Sequence, residues 1–186
     1  PRIMLKKQIK ELSKQGVTMK SGVECEYFLI STDGTSIADP RDTQSKPCYD
    51  QSALMRRYDL IKEICDCMIE MGWGPYQNDH EDANGQFEMN WDYSDCLETA
   101  DRHTFFKYMV KTIAEKHGLR ATFMPKPFNN LTGNGCHAHV SVWQGKKNKF
   151  LDKSDKLGLS KIAYNFLGGV IKNASSLSAF FNPTIN

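Results

Sequence analysis

Three segments of this 186-residue chain alternate with period two, and in each the polar half of the alternation carries groups able to do chemistry. GVECEYFLI (22–30) spaces Glu24 and Glu26 two apart, and GCHAHVSVW (135–143) does the same with His137 and His139 around the small Ala138. GQFEMNWDY (85–93) sets Phe87, Met89 and Trp91 against Gln86, Glu88 and Asn90. Residues two apart on a strand project from one face. The two carboxylates therefore share a face, as do the two imidazoles, and Glu88 points away from Phe87 and Met89. Strands of this kind demand an apolar layer on one side and something that tolerates acids and imidazoles on the other.

Between these segments the apolar period changes to that of helices. Met4 to Leu12 reads as a short amphipathic helix ended by Gly16. Ala53 to Met71 reads as a long one, with Leu54, Tyr58, Ile61, Cys65, Met68 and Ile69 at helical spacing, Asp50 or Ser52 as caps and Gly72 as the stop. A second runs from Glu98 to Lys116, with Phe105, Met109 and Ile113 on its stripe beside Phe106 and Val110, and is closed by Gly118. STDGTSIADPRDTQSKPCYDQ (31–51) is turn-rich, and PYQNDHEDAN (75–84) reads as loop. LRATFMP reads as a strand, KPFNNLTGN as a loop, and 160–181 as mostly helix that carries Gly168 and Gly169 mid-run. Long helices alternating with strands or strand pairs predict a mixed α and β domain. No repeat, low-complexity tract or flexible linker interrupts it.

Several function classes fall away. Lys plus Arg number 24 against 22 Asp plus Glu, too balanced for the basic face that nucleic acid requires. No apolar run approaches the roughly 20 residues that span a bilayer, and the charged start PRIMLKKQIKELSKQG lacks a signal-peptide core, so a soluble intracellular chain is expected. The six cysteines are expected to be reduced: none makes a C-x-x-C pair, and Cys65 and Cys67 read as small buried hydrophobes in a helix. His103 and His117 read as surface or capping residues of the second helix. No Walker-type phosphate loop and no G-x-S-x-G elbow is present. The start at Pro1 fits a processed chain or a fragment.

The acids and imidazoles carry the remaining chemistry. Taken alone, Glu24 and Glu26 could be solvated decoration of an exposed sheet face, and the His pair could be hydrogen-bonded core residues. Together with Glu81 and Glu88 they make an oxygen-rich set that suits Mg²⁺ or Mn²⁺ and disfavours zinc. Paired hard cations usually serve phosphate chemistry, bridging nucleotide oxygens and neutralising charge on a transferred phosphoryl group. TGNG (132–135) lets backbone approach a ligand closely, or is a plain turn.

GVECEYFLI, HEDANGQFE, ATFMPKPF, GNGCHAHVSVW and the terminal NPTIN stand in an order and spacing that resemble the catalytic domain of glutamine synthetases, with the flavour of the bacterial type III branch and its γ-glutamylamide ligase relatives. The resemblance spans nearly the whole chain. It implies an α+β fold, part of a curved, largely antiparallel sheet packed by long helices. Residues 1–186 would be a partial catalytic domain, an internal fragment lacking the N-terminal β-rich domain and the C-terminal part. It further implies that Glu26, Glu81 and Glu88 hold one metal and Glu24 and His137 a second, that His139, Ser141 and Tyr93 contact ATP, and that Thr132 and Gly133 lie at the amino-acid substrate. No catalytic residue beyond these is identified in the segment. Thr132 stands where many members have Asn, which leaves the amine acceptor open.

The implied activity is ATP-dependent ligation of glutamate and ammonia to glutamine through γ-glutamyl phosphate, in the full-length enzyme of nitrogen metabolism; the fragment alone is expected to be inactive. The implied cofactors are two or more Mg²⁺ or Mn²⁺ per site. The implied setting is a cytoplasmic homo-oligomer of stacked rings with intersubunit active sites. The alternatives are a γ-glutamylmethylamide or polyamine ligase of the same family, a non-catalytic structural relative, and a two-metal hydrolase.

Overall fold

A computed structural model describes residues 1–182. In chain order the elements are α1 (Arg2–Ser13), β1 (Thr18–Ile30), α2 (Gln51–Met55), α3 (Tyr58–Glu70), β2 (Pro75–His80), β3 (Gln86–Trp91), β4 (Ser94–Asp95), α4 (Cys96–Lys116), β5 (Arg120–Thr122), β6 (Cys136–Gln144), β7 (Lys147–Asn148), α5 (Lys161–Lys172) and α6 (Ala174–Phe181). They divide into a larger unit, 22–94 with 98–139, and a smaller one, 1–21 with 95–97 and the chain from Val140 onward.

The larger unit is an antiparallel sheet in the order β2-β3-β1-β6, with β5 pairing the end of β1. Period-two alternation sorts each strand as the sequence predicts. Tyr27, Leu29, Phe87, Met89 and Trp91 turn to the side that α3 and α4 cover. There they meet Leu60, Ile61, Ile64 and Met68 of α3 and Phe106, Met109, Val110, Ile113 and Ala114 of α4. Burying each large side chain of this set stabilises the fold by roughly 1.5–3 kcal/mol, so this layer holds the sheet. A smaller apolar cluster, Phe28, Ile30 and Ala83, packs elsewhere in the same unit.

Four local expectations are corrected. The 75–84 stretch is a loop only at its end, since Pro75–His80 is a strand paired antiparallel with β3, its register shifting once between Pro75 and Gln77. Its turn-forming residues are overridden by ladder pairing, and Pro75 stands at the first position, where no donor is missed. The helix expected over 53–71 breaks at Arg56 and Arg57 into α2 and α3; Asp50, not Ser52, is the cap, accepting from the Ser52 N–H. Tyr58, Ile69 and Phe105 are largely exposed although their spacing matched the core stripes. His103, expected at the surface, turns inward: burial, then the Lys107 charge, pushes its pKa down to about 4, so the ring is neutral at physiological pH. Cys65 and Cys67, expected to be buried, are partly buried and pack against the core.

In the smaller unit β6 continues into a hairpin with β7, pairing Trp143 with Asn148, and the Lys20 ammonium lies 5.1 Å from the centre of the Trp143 ring. Ser160 caps α5 by accepting from the Ala163 N–H, and Phe150 packs on Phe166. The tail is helical as expected, with Gly168 and Gly169 inside α5, and it breaks at Asn173 into α6. The NPTIN motif, apart from Asn182, lies outside the described residues. Among the described residues no helix is long and apolar enough to cross a membrane.

Candidate functional site

The register of the sheet lines up acids. Glu26 of β1 stands directly opposite Glu88 of β3, and Glu88 directly opposite Asp79 of β2, giving one row of three carboxylates across three strands. Like charges directly opposed in an antiparallel pair destabilise it. Burial and the surrounding carboxylates oppose ionisation here. Glu81 is raised to about 7, first by burial and then by Glu88, Glu26 and Asp79; Glu88 is raised by burial and by Glu24, Glu26 and Asp79. The ligand oxygens of Asp79, Glu81 and Glu88 lie within 4.8 Å of one another.

These groups line a cavity of about 230 Å³ together with Glu24, Glu26, His137, Asn90, Gln77, Tyr49 and Tyr76. All five residues expected to hold metal, Glu24, Glu26, Glu81, Glu88 and His137, are thus brought to one place. Each is held by its neighbours. Glu26 Oε2 accepts from the Gly135 N–H at 2.9 Å and from Gln86 Nε2 at 2.8 Å. A Cβ on Gly135 would sit 2.8 Å from Glu26 Oε1, so the glycine is what lets the backbone approach that carboxylate. Glu24 lies between the two imidazoles, with His137 Nδ1 at 3.1 Å from one oxygen and His139 Nε2 at 2.9 Å from the other. Glu88 Oε1 accepts from Asn90 Nδ2 at 2.9 Å, while Asn90 Oδ1 is buried with no partner among the described residues.

The loop carrying Glu81 is fastened from behind. Asp42, in the turn-rich 31–51 segment, is buried; its carboxylate meets His80 Nε2 at 2.7 Å and accepts from the Gly85 N–H at 2.6 Å and Asn84 Nδ2 at 3.0 Å. Both ends of the β2–β3 hairpin loop are thereby tied to one side chain.

A second cavity, about 250 Å³, is lined by Gly22, Val23, Glu24, Tyr76, Trp91, Asp92, Tyr93 and His139. It shares Glu24 and Tyr76 with the acidic cavity. Two of the three residues expected at ATP, Tyr93 and His139, face it; Ser141 belongs to the smaller unit, where its hydroxyl accepts from the Trp143 indole at 2.8 Å. Thr132 is exposed on the loop before β6, and the Gly133 carbonyl accepts from Gln86 Nε2 at 3.0 Å. Sequence reasoning missed Asp79, Gln86 and Asn90 as site residues, and Asp42 and His80 as their support. Gln86 and Asn90 were legible from the alternation that exposed Glu88. Asp79 was not, because its segment reads as loop.

The geometry has known counterparts. The family model described as glutamine synthetase, catalytic domain, matches residues 1–186. A glutamine synthetase of Rhizobium meliloti is 64% identical over the whole chain, and a glutamate–methylamine ligase of Methyloversatilis universalis is 46% identical; the chain spans 43% of the length of each. A solved structure of apo GmaS superposes with a TM-score of 0.97 at 62% identity, covering all of this chain and 44% of that one. A Plasmodium falciparum glutamine synthetase gives 0.84 at 28% identity over all of this chain and 42% of its own. With the acid row, the histidine-braced Glu24 and the antiparallel sheet in place, the chain belongs to the glutamine synthetase catalytic-domain family.

Proposed function

We propose that this chain carries the cation and nucleotide region of a longer ATP-dependent ligase that joins glutamate and ammonia. The observation that carries the reading is the row Asp79–Glu88–Glu26, opposed strand by strand in one cavity with Glu24, Glu81 and His137. A row of like charges that folding forces together is matched by cations. The donor set fits Mg²⁺ or Mn²⁺: carboxylate oxygens, one imidazole, and the unpartnered Asn90 Oδ1. In this reading Glu26, Glu81 and Glu88 hold one cation, and Glu24 with His137 holds another. When bound, the cations would screen the glutamate carboxylate from the phosphate it attacks and stabilise charge on the transferred group.

The residues of the chain supply position. Gln86 and the Gly135 N–H fix Glu26 in one orientation, and the two histidines do the same for Glu24. Tyr93 and His139 offer a stacking surface and a polar contact for the nucleotide in the cavity that shares Glu24. Held geometry of this kind lowers the entropic part of the barrier. The glutamate γ-carboxylate takes the γ-phosphoryl group from ATP; ammonia then displaces phosphate, giving glutamine.

Phosphate release by the full-length protein tests this. It is expected to require ATP, glutamate, ammonia and a divalent cation together. Release without glutamate, or hydrolysis without ATP, would refute the ligase reading, the latter in favour of a two-metal hydrolase. The intact acid set argues against a non-catalytic relative.

A second reading has its own support. The 46% identity to a glutamate–methylamine ligase, with Thr132 on the substrate-side loop, favours a methylamine or polyamine acceptor. Comparing ammonia, methylamine and longer amines in the same assay separates the two. The resemblance further supports a cytoplasmic homo-oligomer of stacked rings with active sites between neighbours, which native mass measurement of the full-length protein checks.

A further inference from the structure

The strands that carry the acid cage bear a second set of ligating atoms on their other face. Cys25 lies between Glu24 and Glu26, and Cys136 between Gly135 and His137, so alternation turns both sulfurs away from the acids. His103 of α4 joins them, and the two sulfurs and an imidazole nitrogen all lie within 4.8 Å of one another. Cys25 is buried, Cys136 is exposed, and neither is in a disulfide. His103 Nδ1 is buried and has no hydrogen-bond partner among the described residues. A buried nitrogen without a partner costs roughly 1–3 kcal/mol unless something occupies it.

We propose that Cys25, His103 and Cys136 form a second metal site, chemically distinct from the acid cage and suited to a thiophilic cation, Zn²⁺. Zinc binds thiolate at about 2.3 Å and imidazole at about 2.0–2.1 Å, so tetrahedral ligands stand roughly 3.5–3.8 Å apart. The trio needs to close by at most about 1 Å. Two thiolates neutralise the ion, and Lys107, one turn along α4 from His103, is close enough to favour the charged form of both sulfurs, against the Cys136 hydrogen bond and the burial that push the Cys25 thiol up. The exposed side at Cys136 leaves a fourth position for water. Oxygen-seeking Mg²⁺ has no preference for this set, so the two faces sort cations by softness. The bound ion would tie α4 to β1 and β6 directly behind the acid row. The proposal stands apart from the ligase reading, since it uses none of the residues assigned to it.

Cobalt substitution in the full-length protein tests it, with excess Mg²⁺ present to fill the oxygen sites. The wild type is expected to develop a near-ultraviolet thiolate-to-Co²⁺ charge-transfer band that saturates at one ion per chain and is bleached by Zn²⁺. The band should vanish in Cys136→Ser, persist in Cys65→Ser, and need roughly tenfold or more Co²⁺ in His103→Gln. No band in the wild type, or the same titration in Cys136→Ser, overturns the site. Cys136 is exposed, so its variant is expected to fold; if circular dichroism shows that it does not, an unchanged titration in His103→Gln overturns the proposal equally. Ligase activity plays no part in the readout.

Discussion

The two faces of β3 are buried equally and for opposite reasons. Phe87, Met89 and Trp91 meet the helices, while Gln86, Glu88 and Asn90 meet other polar groups; all six are buried. On the first face burial itself is the driving force. On the second it is a cost, because Glu88 is desolvated between Glu26 and Asp79 and its acidity falls accordingly. One strand thus carries both the fold and the strain that a cation would relieve. Burial alone does not distinguish a structural residue from a functional one; what distinguishes them is whether the neighbours complete the interaction.

The comparison breaks most visibly at the acid row. Glu88→Gln or Glu26→Gln is expected to lower metal-dependent turnover of the full-length protein by roughly 100-fold or more while raising the Tm of the cation-free protein, since one of the opposed charges is gone. A fall in both would mean that Glu88 is structural. On the apolar face, Met89→Ala should cost about 2–5 kcal/mol in denaturant unfolding, with no gain in cation-free stability.

A pH series sharpens the contrast without a mutation. Glu81 titrates near 7 in the folded chain against 4.5 when unfolded, so the folded state holds more protons between those values. The contribution of Glu81 to cation-free stability is therefore fully present below pH 4.5 and is lost as pH rises through about 7. Saturating Mg²⁺ should flatten that slope; a slope unchanged by Mg²⁺ would separate the titration from the cation site. The smallest effect is expected at Glu98, half-exposed on α4 and paired with Arg102: Glu98→Gln should change stability by under about 0.5 kcal/mol and leave turnover intact. An effect at Glu98 as large as that at Glu88 would mean that the site has been misplaced.

The parts of the site that were legible in the sequence are those governed by local alternation. Glu24 with Glu26, His137 with His139, and Glu88 against Phe87 needed only the period of a strand. Glu81 entered from its motif, and the structure gives the cause of its position in the Asp42 clamp, formed by a residue 39 places earlier in the chain. Asp79 was hidden because Pro, Asn and Asp lower strand propensity, and only pairing with β3 overrides that. The break at Arg56–Arg57 was invisible for a related reason. Helical apolar spacing continues through it, while the Arg57 guanidinium donates to the Ala38 carbonyl at 2.6 Å, a contact that no local pattern records.

By itself the sequence determined the faces of the strands, most but not all of the inward positions of the helices, which groups could bind a hard cation, and the family whose motifs they match. Only the tertiary structure decided the register that sets Asp79, Glu88 and Glu26 opposite one another, and the meeting of Cys25, His103 and Cys136 on the reverse side. The reason is physical. Alternation is a property of one strand's own backbone geometry, whereas opposition depends on hydrogen bonds between strands and on the helices that pack them, and these join residues far apart in the chain.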